Sequence, residues 1–286
     1  MTSFRAIDAH THVLPWGMLK PDILEALKKR AKDIQSSEHI ADDPSRIIRA
    51  LDEAGVEKAF VIGYASSEVM GLPEEVNDFT INYCANYPDR LMPFGSPEMH
   101  ESVEIVTASM TQLIENGIRG IKIHPCHQLV YPNEYRTGGS KVLEVVYSMA
   151  EDAKIPVMIH TGTSIFPRSI NRFADPIYVD DVAVDFPDLK IILAHGGRPI
   201  WMSTAFFLVR RHENVYLDIS GIPPRALLEY FPRIELIADK TMFGSDWPGP
   251  DVRSIKGNVE EILALPLSEG AKHKILRETA LKVIGS

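Results

Sequence analysis

The chain has 286 residues, 45% of them hydrophobic and 24% charged, and a formal charge of −9. That length suits one large domain, and an acidic total without a basic stripe excludes a protein built to grip a phosphate backbone. No 18-residue apolar span and no basic-then-apolar leader is present, and two cysteines are too few for a disulfide framework. The expectation is therefore a cytoplasmic enzyme with neither nucleic-acid nor membrane partners.

Residues 4–7 read as a first strand that closes on Asp8-Ala9-His10-Thr11-His12. Side chains two apart on a strand share a face, so His10 and His12 project together, with Asp8 one step deeper. A loop with Pro15 and Gly17 follows, then a helix over 21–30 with Pro at its start. A polar stretch at 35–43 leads to a helix over 44–54 that Gly55 stops. The connection at 11–43 is too long for a tight turn and reads as a lid over the strand ends. From there strands are expected at 59–63, 91–95, 120–124, 156–160, 189–195, 215–219 and 241–246, the third weakened by Pro93. Helices are expected at 73–86, 102–115, 140–153, 177–186, 199–211, 224–238, 254–263 and 269–283. Apolar strands alternating with helices predict a parallel sheet covered by helices, and eight such units predict a closed (β/α)8 TIM barrel as a single domain over 1–286. The rival, an open doubly wound sheet, would want a glycine-rich fingerprint after strand one, where His-Thr-His stands instead.

Reactive groups in such a barrel sit where strands end. The predicted strands place His10 and His12 after strand one, Lys122 and His124 on strand four, His160 after strand five, His195 after strand six and Asp246 after strand eight. His39, His100, His127 and His212 fall in loops or helices. Imidazoles with one carboxylate suit Zn²⁺, and also Mn²⁺, Fe²⁺ or Ni²⁺. Such an ion lowers the pKa of a bound water from about 15.7 to about 7. Asp246 can then serve as ligand and proton acceptor, and His195, followed by Gly196-Gly197-Arg198, can orient the water or shuttle a proton.

The set Asp8-Ala9-His10-Thr11-His12, the strand-end His160 and His195, and Phe243-Gly244-Ser245-Asp246-Trp247-Pro248 resembles the amidohydrolase superfamily. The similarity is greatest to the branch that includes aminocarboxymuconate-semialdehyde decarboxylase, and it covers residues 4 to about 282. The resemblance implies a distorted TIM barrel with His10, His12, His160 and Asp246 as metal ligands. In the decarboxylases of this branch the histidine matching His195 is catalytic and does not coordinate. Binuclear members carboxylate a strand-four lysine that bridges two metals, and Gly120-Ile121-Lys122-Ile123-His124-Pro125 resembles that strand. One ion, zinc before the others, is thus expected, and two if Lys122 is carboxylated, with His195 on the second.

Lys122 is otherwise an anchor for a substrate carboxylate, and His124 a candidate substrate contact. The branch tends to carry a carboxylate-binding arginine before strand two, where Arg46 and Arg49 lie. Trp16 and Trp247 are candidate pocket walls; Arg168, Arg172 and Phe173 are weaker candidates. Two reactions stay open. The first is hydrolysis of an amide, ester or lactone of a small carboxylate-bearing substrate through metal-activated water, placed first because Lys122 resembles the binuclear lysine. The second is non-oxidative decarboxylation of an unsaturated or aromatic acid. A catalytically silent ligand-binding barrel is the reading from another class, and a homodimer is the default for this size.

Overall fold

The computed structural model describes residues 5–30, 39–249 and 252–285. Eight parallel strands pair in chain order: β1 (Ala6–Thr11), β2 (Val56–Ile62), β3 (Leu91–Gly95), β4 (Gly120–Ile123), β5 (Val157–His160), β6 (Ile191–Ala194), β7 (Val215–Asp218) and β8 (Thr241–Met242). β1 and the end of β8 meet through a short set of backbone hydrogen bonds. Ala9 N–H donates to Phe243 O at 2.8 Å, Asp246 N–H to His10 O at 2.8 Å, and His12 N–H to Trp247 O at 2.9 Å. The result is the expected TIM barrel. Register aligns the strand ends that matter, because His160 lies opposite Ala194 and Ala194 opposite Asp218.

Helices fill the connections: α1 (Pro21–Arg30), α2 (Pro44–Glu53), α3 (Val76–Ala85), α4 (Val103–Glu115), α5 (Pro125–Gln128), α6 (Val142–Asp152), α7 (Val179–Asp185), α8 (Met202–Arg211), α9 (Leu227–Tyr230), α10 (Ile255–Ala264), α11 (Glu269–His273) and α12 (Thr279–Ile284). Their starts carry the chemistry that orphan N–H groups require. Asp43 accepts from Ser45 N–H at 2.9 Å ahead of α2, with Pro44 at the first helical position, and Ser254 accepts from Gly257 N–H at 3.0 Å ahead of α10. No helix among the described residues is long and apolar enough to cross a membrane.

Four local expectations change. The strand expected at 241–246 keeps ladder geometry only to Met242, because the chain then turns and Asp246 takes a left-handed φ of 63°. The helix expected at 224–238 is broken: 3-10 turns at Pro224–Ala226 and Ile234–Lys240 flank the short α9. Pro232, with no N–H to donate, stands at the break. The helix expected from 199 begins at Met202, and the closing helix runs from α11 through a π turn at Lys274–Glu278 into α12. Of the lid expected over 11–43, residues 31–38 lie outside the described residues. The described part is tied down at Lys20, whose N–H donates to Met70 O at 3.0 Å.

Alternation along the strands sorts the core into two layers. Phe60, Ile62, Met92, Phe94, Met158, Ile192, Ala194, Tyr216 and Met242 share one buried cluster, while their neighbours Ala59, Val61, Leu91, Val157, Ile191, Leu193 and Leu217 belong to the layer beneath the helices. Phe60 and Phe94 stack at 5.1 Å and 14°, and Gly120 leaves room for them, since a Cβ there would stand 2.2 Å from the Phe94 ring. Phe60→Ala should therefore empty a fully packed interior and cost about 3–5 kcal/mol, read by denaturant unfolding. Ile105→Ala, at a half-exposed helix position, should cost under about 0.5 kcal/mol.

Candidate active site

β1 delivers His10 and His12 to the same face, and each has one ring nitrogen already committed. His12 Nδ1 lies 3.0 Å from Ile62 O, and a carbonyl can only accept, so in the neutral ring Nδ1 carries the proton and Nε2 keeps a lone pair. His10 Nδ1 lies 2.6 Å from Asp218 Oδ2, which leaves its buried Nε2 without a hydrogen-bond partner. Both free nitrogens converge on one oxygen, Asp246 Oδ1, at 3.2 Å from His12 and 3.7 Å from His10. Burial alone would raise the Asp246 pKa. The His12 contact and the Arg198 guanidinium pull the other way, and the carboxyl is held down to about 2.

Lone pairs aimed at a carboxylate repel unless a cation lies between them. Ligands about 2.1 Å from one ion stand roughly 3.0–3.4 Å apart, the spacing of His12 and Asp246 here. The donor set therefore fits a divalent metal, and the Nδ1 partners are the outer-shell groups that orient metal-binding imidazoles.

His195 follows β6 with a φ of 66° and is pinned in the same manner, its Nδ1 3.0 Å from Ser220 O and 2.9 Å from Ser220 Oγ. Burial holds His10, His160 and His195 well below the ordinary histidine pKa, as neutral bases. Asp218 accepts from Ser220 N–H at 2.8 Å and Ser220 Oγ–H at 2.6 Å besides holding His10; burial pushes its pKa up, against the pull of Lys122. Lys122 itself is buried with no partner on Nζ, and burial lowers its pKa despite the acidic Asp218 and Asp246.

His160 has both ring nitrogens buried and unpartnered. Its ring lies 4.8 Å from that of His195, which in turn lies 4.8 Å from that of His10. It also ends a stack of near-parallel imidazoles, 3.8 Å from His124, which lies 3.5 Å from His127. His127 is fixed at both nitrogens, 2.8 Å from Tyr64 Oη and 2.7 Å from Ser164 Oγ. Donor atoms of His10, His12 and Asp246 lie within 4.8 Å of one another, as do those of His124, Cys126 and His160.

These groups line a cavity of about 290 Å³ at the barrel mouth, walled on its apolar side by Leu14, Trp16, Leu27, Met70 and Phe166. The structure brings His10, His12, Lys122, His124, His160, His195, Asp246 and Trp16 together there. It does not bring the other candidates. Arg46 is half exposed beside Asp43, and Arg49 donates to Ser45 one helical turn away. Both lie on α2, whose outer face is solvated. Trp247 is buried in the layer beneath the helices, so it packs under the cavity and does not wall it. Arg168 pairs with Asp22 at the surface, and Phe173 packs on Tyr131.

Several groups escaped the sequence reading. Asp218 ends β7 at the level where other strands carry candidate ligands, a signal that was available, and Ser220 follows it. His127 sits on the one-turn α5, which no periodicity announces, and Tyr64 and Arg198 lie in loops.

No curated protein matches this sequence. Among solved structures, an uncharacterized TIM-barrel protein from Bordetella bronchiseptica is 24% identical with a TM-score of 0.77, over 99% of this chain and 100% of that one. A probable 2-pyrone-4,6-dicarboxylic acid hydrolase from Acinetobacter baumannii, with citric acid bound, is 15% identical with a TM-score of 0.67, over 99% and 100%. A 5-carboxyvanillate decarboxylase from Novosphingobium aromaticivorans, complexed with manganese and 4-hydroxy-3-methoxy-5-nitrobenzoic acid, is 16% identical with a TM-score of 0.66, over 99% and 96%. At these identities the likeness speaks for the fold. The family model described as amidohydrolase matches residues 7–285, and the chain belongs to that family of enzymes.

Proposed function

We propose that the chain is a metal-dependent hydrolase of small carboxylate-bearing amides, esters or lactones, with one divalent ion held by His10, His12, His160 and Asp246. The observation that carries the metal is the convergence of two pinned imidazoles on the ionised Asp246. When bound, the ion supplies Lewis acidity and brings a water's pKa near neutrality. The chain's own groups supply the rest. Asp246 keeps Oδ2 free of any imidazole and stays ionised, ready to take a proton. His195, its Nδ1–H given to Ser220 O, keeps Nε2 for exchange with a leaving group. The apolar wall excludes water from the remainder of the cavity.

Lys122 supports placing hydrolysis first. A buried amine with a lowered pKa is the form that can add CO₂, and the carbamate would invite a second ion beside His195. Decarboxylation is supported by a different observation. The apolar wall of Leu14, Trp16, Leu27, Met70 and Phe166 favours converting a charged carboxylate into neutral CO₂.

Metal content and product identity test these readings. Purified protein should hold one ion per chain, or two where Lys122 is carboxylated, and chelation should lower its melting temperature, since a ligand at about 1,000 times its Kd adds about 4.1 kcal/mol. Asp246→Asn should cut kcat by at least about 10²-fold on an ester, lactone and carboxylate panel; unchanged turnover would remove the catalytic account. Lys122→Met should abolish a second ion and the hydrolytic product if hydrolysis is the reaction. Release of CO₂ from an aromatic or unsaturated acid, undiminished in Lys122→Met, would instead establish the lyase.

A further inference from the structure

Two of the sequence-derived carboxylate anchors, Arg46 and Arg49, lie outside the cavity, and a different arginine lines it. Arg198 follows the His195-Gly196-Gly197 turn, and its backbone is clamped from two sides. Its N–H donates to His195 O at 3.1 Å, and its carbonyl accepts from Thr163 N–H at 2.9 Å in the loop after β5. Gly162, at a φ of 111°, permits that approach, because a Cβ there would stand 2.3 Å from Arg198 O.

The guanidinium has a cradle of its own. A Cβ on Gly221 would lie 2.5 Å from Arg198 Nη2 and 2.8 Å from Nε, and Gly221 has a φ of 65° that side chains rarely adopt. Backbone and guanidinium thus both demand glycine there. Held in this way, the group is short of partners. Nε is buried with none, and Nη2 stands 3.8 Å from Asp246 Oδ2, beyond hydrogen-bond range. The side chain is 27% exposed and faces the cavity.

A fork of N–H donors with no hydrogen-bond acceptor, its one carboxylate neighbour held at 3.8 Å, is matched by a planar oxyanion with two acceptors. The other cations there match it less well. Lys122 offers a compact ammonium that is almost fully buried, and Arg30 ends α1 at the exposed rim. We infer that Arg198, cradled by Gly221, is the residue that selects a carboxylate on the substrate and fixes its orientation, with the body of a planar, largely apolar acid lying against Tyr64, Phe166 and Trp16. The inference names the anchor for the substrate class and rests on the proposed function in that respect alone.

The test uses the full chain loaded with Mn²⁺, its metal content measured in every variant, and calorimetric titration with benzoate and with its neutral isostere benzamide. Arg198→Gln should weaken benzoate roughly tenfold to hundredfold, the range for losing charge-assisted hydrogen bonds, and leave benzamide within about twofold. Gly221→Ala, which displaces the guanidinium without removing it, should show the same selective loss, and Arg198→Lys an intermediate one. Unchanged benzoate affinity in Arg198→Gln, no benzoate binding to the parent chain, or equal loss of both ligands would overturn the assignment. Loss of metal together with benzoate would overturn it too, since Arg198 would then act through Asp246. A chain that holds no metal yet discriminates benzoate from benzamide through Arg198 would remove the metal-centred reading and leave this one standing.

Discussion

One carboxylate oxygen holds the place where this barrel closes. Asp8 Oδ1 accepts His10 N–H at 3.1 Å and Ser245 N–H at 2.8 Å, tying β1 to the turn beyond β8. The backbones that carry His10 and Asp246 are thereby fixed relative to one another at one buried point. Burial opposes charge on Asp8 and raises its pKa to about 7, even with those bonds pulling it down. Gly244 completes the joint. A Cβ there would stand 2.4 Å from Asp218 Oδ1 and 2.7 Å from His10 Cβ, so the chain passes against both without a side chain between.

Around that joint the site is arranged as paired commitments. Each of His10, His12 and His195 gives its Nδ1–H to a fixed acceptor, namely Asp218, Ile62 O and Ser220 O. A neutral imidazole so held has one tautomer and one orientation, and its basic nitrogen is presented where burial has removed competing water. Ser220 serves two histidines at once, since its Oγ lies within hydrogen-bond reach of both His10 and His195. Changing it would disturb a pair of rings together.

What the residue order revealed was the barrel and the strand-end groups, because alternation and strand length are local properties. Apolar strands at 120–124 and 156–160 end in His124 and His160, and the period of two alone puts Lys122, His124 and His160 on the cavity side. What stayed hidden depends on distance through space. The pairing of His10 with Asp218 spans 208 positions, and no local pattern encodes it. The same holds for Arg198, whose place at the cavity comes from Gly221 and the loop after β5, and for Trp247, where adjacency to Asp246 suggested a pocket wall that burial in the helix-side layer denies. Arg46 failed for a simpler reason: its place on the outer side of α2 follows from helical phase, which a position before strand two does not convey.

The π turn at Lys274–Glu278 extends the closure of the barrel into the last helix. Ile275 O accepts Phe243 N–H at 2.7 Å, so the segment that leads to Asp246 leans on a carbonyl from that widened turn. A π turn is an α-helix with one residue too many. Trimming it back to regular pitch would swing each following residue by about 100° about the helix axis. Ala280 and Val283, now in one buried cluster with Ile7, would turn away from it, so an irregularity in the outer layer sets the phase at which β1 is supported.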